Sequence, residues 1–260
     1  MITSAQNPRV QYVRALIARR KDREEQGAFV VEGVRLLEEA LASGWEVRLL
    51  LYAGELSPRA TALLAEARNR GVDVEEVALP LFQSLADTQT PQGVLGVLAR
   101  RHDPLPEGLN FAVVADGIRD PGNLGTLLRS AAAAGVQGVL LPPGTTDAFA
   151  PKVVRAGMGA HFRLPVVQAD WEQIAAALKP SCRMYVAESG EGMPCWRVDL
   201  TVPVALVIGG EAEGASVQAR ALADGLITIP MPGKSESLNA GVAAGILLFE
   251  VVRQRYEKIT

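Results

Sequence analysis

The stretch Phe111-Ala112-Val113-Val114-Ala115-Asp116-Gly117-Ile118-Arg119-Asp120-Pro121-Gly122-Asn123-Leu124-Gly125-Thr126-Leu127-Leu128-Arg129 decides the fold class. Its first five residues are an uninterrupted apolar run, as a strand buried on both faces requires. A turn rich in glycine, aspartate and proline breaks the run. The leucines at 124, 127 and 128 with Ala131 then fall at i, i+3, i+4 and i+7, the buried stripe of a helix. Strand, tight turn and helix in succession form the repeating unit of a parallel sheet.

The same alternation extends outward. Strand-like runs over residues 138–141, 184–187, 204–208 and 226–229 alternate with helical patterns near 171–178, 216–222 and 237–255. This half is expected to be an α/β fold, a mostly parallel sheet with helices on both faces. Towards the N-terminus, runs at 29–31, 47–52 and 72–77 alternate with helical patterns over 33–42 and 59–70, which predicts a smaller α/β domain. Between them, Arg100-Arg101-His102-Asp103-Pro104-Leu105-Pro106-Glu107-Gly108 breaks the patterning with two prolines and a glycine. The expected division is residues 1–100, a linker at 101–110, and residues 111–260.

The chain's 260 residues, 48% hydrophobic and 21% charged, suit two globular domains, and no apolar run reaches the roughly 18 residues of a membrane span. The first nine residues lack the basic-then-apolar layout of a secretory signal, so the expected compartment is the cytoplasm. Only two histidines and two cysteines are present, and Cys182 and Cys195 lack C-x-x-C spacing. No metal site is expected, and both cysteines read as small buried hydrophobes. A net charge of -3 argues against indiscriminate coating of nucleic acid, yet the N-terminal segment is locally basic. Arg9, Arg14, Arg19, Arg20, Lys21 and Arg35 are the candidate phosphate contacts there.

In open parallel sheets ligands bind at the carboxyl ends of the strands. Three chemically dense segments lie there: residues 116–129, 208–214 and 229–245. Asn123 starts a helix and Arg129 follows about a turn and a half later, off the apolar stripe, where a guanidinium can meet phosphate or an oxyanion. A helix cap and a surface arginine would read equally well from this motif alone. Gly209 and Gly210 end a strand and allow close backbone approach to a ligand, with the Glu211 carboxylate next. The spacing G-x-G-x-x-G is absent. In the third segment Gly233-Lys234-Ser235 has the end of a phosphate-binding loop, but Thr228 stands where its first glycine belongs. Ser237 and Asn239 are expected to open a helix whose Leu238, Val242, Gly245, Ile246 and Phe249 face the core.

Taken in order, N-x-G-x-x-x-R at Asn123, Gly125 and Arg129, G-G-E-x-x-G from Gly209 to Gly214, and I-P-M-x-G-x-x-x-S-L-N from Ile229 to Asn239 closely resemble the SpoU, or TrmH-type, RNA 2′-O-ribose methyltransferases. The resemblance spans about residues 111–255. The preceding domain, with Phe29-Val30-Val31-Glu32-Gly33, looks like that family's ribosomal-protein-like RNA-binding domain. The resemblance implies a catalytic domain threaded into a deep trefoil knot, S-adenosylmethionine as cofactor, and a homodimer. It implies cofactor contacts at Gly209, Gly210, Ile229, Met231 and Leu238. Arg129 matches the catalytic arginine. Asn123, Glu211, Ser237 and Asn239 match polar residues that arrange it and the substrate ribose. One departure stands out: many members read S-L-N-V-S where this chain has Ser237-Leu238-Asn239-Ala240-Gly241, so a second hydroxyl is missing. The implied substrate is RNA, with ribosomal RNA (23S) preferred over tRNA. A non-catalytic RNA-binding assembly protein is the alternative of another class.

Overall fold

In a computed structural model of the chain the described residues are 1–88, 90–101, 103–211, 213–233 and 236–257. They form two compact units, Met1–Arg101 with Phe149–Phe162, and His102–Ala148 with Arg163–Thr260.

The first unit runs α1 (Pro8–Ala18), α2 (Arg20–Gln26), β1 (Ala28–Glu32), α3 (Val34–Ala42), β2 (Val47–Tyr52), α4 (Pro58–Asn69), β3 (Asp73–Glu76), α5 (Leu79–Gln83) and β4 (Val94–Ala99). Its sheet has the order β1-β4-β2-β3, with β4 antiparallel to both neighbours and β2 parallel to β3. The central strand β4 has no counterpart in the sequence reading. Its run Val-Leu-Gly-Val-Leu-Ala carries a glycine in the middle and no alternation, because all six residues are buried. Val10, Val13 and Leu16 of α1 pack with Val30, Leu51 and Val97 in the core.

A segment from far along the chain joins this unit. In α7 (Pro151–Gly157) Val153 and Val154 are buried, and the preceding Phe149 meets Phe29 of β1 edge-on at 5.0 Å between ring centroids. The sequence reading assigned residues 149–162 to the second domain. They belong to the first unit because their apolar side chains find their partners there, which sequence position does not reveal.

The second unit runs β5 (Phe111–Asp116), α6 (Pro121–Ala134), β6 (Gly138–Leu141), β7 (Val166–Gln168), α8 (Trp171–Leu178), β8 (Arg183–Ala187), β9 (Met193–Pro194), β10 (Val204–Gly209), α9 (Val217–Leu222), β11 (Gly225–Thr228) and α10 (Ala240–Glu257). The sheet is parallel throughout, in the order β7-β6-β5-β10-β8-β11-β9. Alternate residues Ala112 and Val114 of β5 and Ala205 and Val207 of β10 pack with Ile174 and Leu178 of α8 and Ala219 of α9. On α6 the stripe Leu124, Leu127, Leu128 and Ala131 is fully buried, as its spacing predicts.

Helix α10 differs from expectation. It begins at Ala240, and its buried face is Ala240, Gly241, Ala244, Leu247, Leu248 and Val251. Leu238, Val242, Ile246 and Phe249 are 37–50% exposed rather than core. Both candidate faces keep helical spacing, and the small residues 240, 241 and 244 carry too little hydrophobicity to mark the buried one. The C-terminal end of α10 is pinned by Arg255, which donates to Asn110 O at 2.8 Å and Val202 O at 3.0 Å and lies over the Phe111 ring. No helix among the described residues is long and apolar enough to cross a membrane.

Candidate active site

The site is assembled where α6 and α10 begin. Asp120 caps α6, its Oδ1 accepting from Asn123 N at 2.8 Å, and Pro121 fits the first turn because it has no N–H to satisfy. That cap fixes Asn123 at the helix mouth. The Asn123 amide donates through Nδ2 to Glu211 Oε1 at 2.5 Å and accepts through Oδ1 from Asn239 Nδ2 at 2.7 Å. Asn239 in turn accepts from Val242 N at 3.2 Å, which makes it, not Ser237, the cap of α10. One residue from each of the three segments is therefore joined in a single hydrogen-bonded chain. An asparagine suits the middle position because its amide donates and accepts at once.

Below the chain lies a cavity of about 170 Å³. Gly209, Gly210, Ile229, Met231 and Leu238, all five expected cofactor contacts, line it, together with Glu211 and Ser237. The exits of β8, β10 and β11 form its wall. The β8 exit, with Glu188 and Ser189, was not singled out from sequence, because a serine and an exposed-looking glutamate after a short strand resemble any turn. The Glu188 carboxylate meets Arg220 Nη2 at 2.6 Å, and Ser189 Oγ donates to Glu236 O. The β5 exit was expected on the same wall. Instead Asp116, Gly117 and Arg119 line a neighbouring cavity of about 390 Å³, which shares Gly210 and Gly214 with the first. There Asp116, 3% exposed, accepts from Ser216 N at 2.6 Å and so ties the Gly209–Gly214 turn to β5.

The two glycines are required by the protein's own backbone before any ligand is considered. A Cβ on Gly210 would stand 2.3 Å from Gly117 O, and one on Gly209 would stand 2.3 Å from the Gly214 carbonyl carbon. Ala212, Lys234 and Ser235 lie outside the described residues.

Arg129 is exposed, and among the described residues no hydrogen bond or ion pair joins it to Asn123, Glu211 or Asn239. Six residues separate it from Asn123, about 240° around the helix at 100° per residue. It is not part of the hydrogen-bonded chain.

Of the six basic candidates in the first unit, four are held in ion pairs. Arg9 pairs with Asp73 and Glu75, Arg19 with Asp22, Arg20 with Glu24, and Lys21 with Glu25. Arg14 donates to Ser84 Oγ at 3.4 Å, and Arg35 has no partner among the described residues. Cys182 and Cys195 are both buried, and burial pushes each thiol above its usual range, so neither is a reactive thiolate.

The departure at Gly241 has a steric cause. A Cβ there would come 3.0 Å from both Cβ and Cγ2 of Thr126, so α6 already fills the space. We predict that Gly241→Ser destabilises the second unit by about 1–3 kcal/mol through overpacking, and that adding Thr126→Ala, which removes Cγ2 but keeps Cβ, restores part of the loss. Chemical denaturation of the four proteins measures this; equal losses in the single and double variants would exclude the steric account.

With this geometry in place, comparison with known proteins is specific. Residues 110–249 match the SpoU rRNA Methylase family, and residues 7–96 match an MRM3-like substrate binding domain. A 23S rRNA uridine 2′-O-methyltransferase of Streptomyces viridochromogenes is 37% identical over 97% of this chain and 92% of its own. A 23S rRNA guanosine 2′-O-methyltransferase of Bacillus subtilis is 32% identical over 96% of this chain and 98% of its own. The crystal structure of an AdoMet-bound rRNA methyltransferase from Sinorhizobium meliloti superposes with a TM-score of 0.87 at 34% identity, covering 97% of each chain. Sequence, fold and the assembled segments agree: the chain belongs to the SpoU rRNA methylase family.

Proposed function

We propose that the chain transfers a methyl group from S-adenosylmethionine to a ribose 2′-hydroxyl of ribosomal RNA, in the large-subunit (23S) class. The observation that carries this reading is the Asn239–Asn123–Glu211 chain set over an apolar cavity. The cavity suits the cofactor's chemistry. Ile229, Met231, Leu238 and Leu247 offer apolar contact to its rings, the Gly209–Gly210 backbone offers polar groups, and the Glu188 and Glu211 carboxylates face a cationic ligand. When bound, S-adenosylmethionine supplies a methyl already activated on a sulfonium.

The protein's share is then alignment, for which well-oriented groups gain up to about 7–11 kcal/mol. Glu211, fixed by Asn123, accepts the hydrogen bond of the 2′-hydroxyl and turns its oxygen towards the cavity. The hydroxyl proton passes to water as the O–CH3 bond forms and the S–CH3 bond breaks. Ser237 and Asn239 hold the ribose from the α10 side. Arg129 is no proton acceptor, since a protonated guanidinium has no lone pair to offer. Its exposed cation meets the nucleotide phosphate and the developing oxyanion. The names of the bacterial relatives support 23S rRNA over tRNA.

The same reading includes a homodimer. Leu238, Val242, Ile246 and Phe249, at spacings of four, four and three, form an exposed apolar stripe that begins at the cavity wall. A second copy covers it. The trefoil knot is part of the reading as well, supported by the insertion of β10 between β5 and β8 and the return of α10 onto β10 and α6.

Incubation with radiolabelled S-adenosylmethionine and unmodified 23S rRNA or tRNA, followed by digestion to nucleosides, tests the activity. We expect label in a 2′-O-methylnucleoside from 23S rRNA, and a loss of about 100-fold or more in Arg129→Ala. Label in a base-methylated nucleoside, or none despite cofactor binding, would reject the reading. Light scattering should give twice the single-chain mass of 27.6 kDa, and the single-chain mass for Phe249→Glu. A wild-type protein at 27.6 kDa would contradict the dimer.

A further inference from the structure

The first unit contains a groove of about 600 Å³, larger than any packing defect and open to solvent. Its floor is apolar: Val34 and Phe82 are buried there, and Leu79 lies half-exposed at its edge. Its rim is polar. Arg35, Gln83, Gln92 and Glu55 line it, from the start of α3, the end of α5, the turn before β4 and the exit of β2. The Gln92 Oε1 accepts from Val34 N at 2.9 Å, which anchors that turn to α3.

Charge accounting separates Arg35 and Arg14 from the other basic candidates of the N-terminal segment. Arg9, Arg19, Arg20 and Lys21 each have a carboxylate partner, so a phosphate would have to displace a paired charge. Arg59 at the groove is likewise held by Glu38 in a two-pronged pair. Arg35 has no partner among the described residues. Arg14, whose contact is the neutral Ser84 hydroxyl, also lacks a carboxylate, and Ser84 directly follows the groove residue Gln83.

We propose that this groove is where the first unit holds RNA, taking one unpaired nucleotide, with Arg35 on its phosphate and Arg14 on a neighbouring one. The inference rests on the reading of the chain as an RNA methyltransferase and adds the place of contact. A half-exposed leucine, an amide rim and a free guanidinium suit a splayed-out base, held by apolar contact and edge hydrogen bonds with an electrostatic anchor. Glu55 and the two glutamine amides offer both acceptors and donors to a base edge. The paired residues of α2, Arg20 and Lys21, are a solvated helix face instead.

The test is binding of the full chain to an unmodified 23S rRNA transcript across a salt series. Arg35→Ala is expected to weaken binding about 5- to 10-fold and to lower the slope of log K against log salt by about one. Arg35→Lys should keep the wild-type slope, and Lys21→Ala should stay within about two-fold of wild type. A matching thermal melt excludes misfolding as the cause. Equal binding by wild type and Arg35→Ala, a loss carried by Lys21→Ala, or a loss with unchanged salt slope would each overturn the proposal. Methyl transfer is read separately: a protein that methylates no RNA but shows the Arg35 effect retains the groove and loses the catalytic reading.

Discussion

The site depends on the close approach of α10 to α6. The approach is possible because α10 presents Gly241 to Thr126, where a Cβ would stand 3.0 Å away. With the helices that near, Asn239 at the mouth of one reaches Asn123 at the mouth of the other, and Asn123 reaches Glu211 on the β10 turn. Separating α10 by the few tenths of an ångström that a side chain at 241 demands would stretch the 2.7 Å bond between Asn239 and Asn123. Helix packing and the geometry of the hydrogen-bonded chain are one constraint here.

That constraint explains which parts of the site were legible in the sequence. Periodicity identified α6 because its stripe of leucines is large and continuous, and the parallel sheet because its strands are buried on both faces. Periodicity misread α10, whose core face opens with Ala240, Gly241 and Ala244 while Val242, Ile246 and Phe249 stay exposed. Hydrophobic spacing marks an apolar stripe without saying whether it is buried, so the exposed face of α10 looks like core. The turns at 209–214 and 229–239 were legible as chemistry through their glycines and isolated polar residues. The β8 exit was not, since Glu188 and Ser189 gain meaning only from the strands beside them. Strand β4 and helix α7 were missed for related reasons: one has no alternation, and the other packs on residues more than a hundred positions away in the chain, such as Phe29.

Charge was the least legible feature. The count of basic residues at the N-terminus suggested a broad phosphate-binding face, but the carboxylates that cancel it come partly from one turn further along a helix and partly from β3. Of the six basic candidates there, Arg35 and Arg14, near a groove in the first unit, have no carboxylate partner among the described residues. An exposed ion pair is weak, worth up to about 1 kcal/mol, but a phosphate gains less from a cation already neutralised. Unpaired cations therefore mark contact sites more sharply than cation density does.

The central claim is that Glu211, Asn123 and Asn239 act as a single unit. A double-mutant cycle in kcat/KM with 23S rRNA, using Asn123→Ala, Glu211→Ala and both together, addresses it most directly. The account predicts that the double variant loses scarcely more than the worse of the two single variants, because either change breaks the same chain. Losses that multiply would contradict it, and would mean that the two side chains serve the reaction independently.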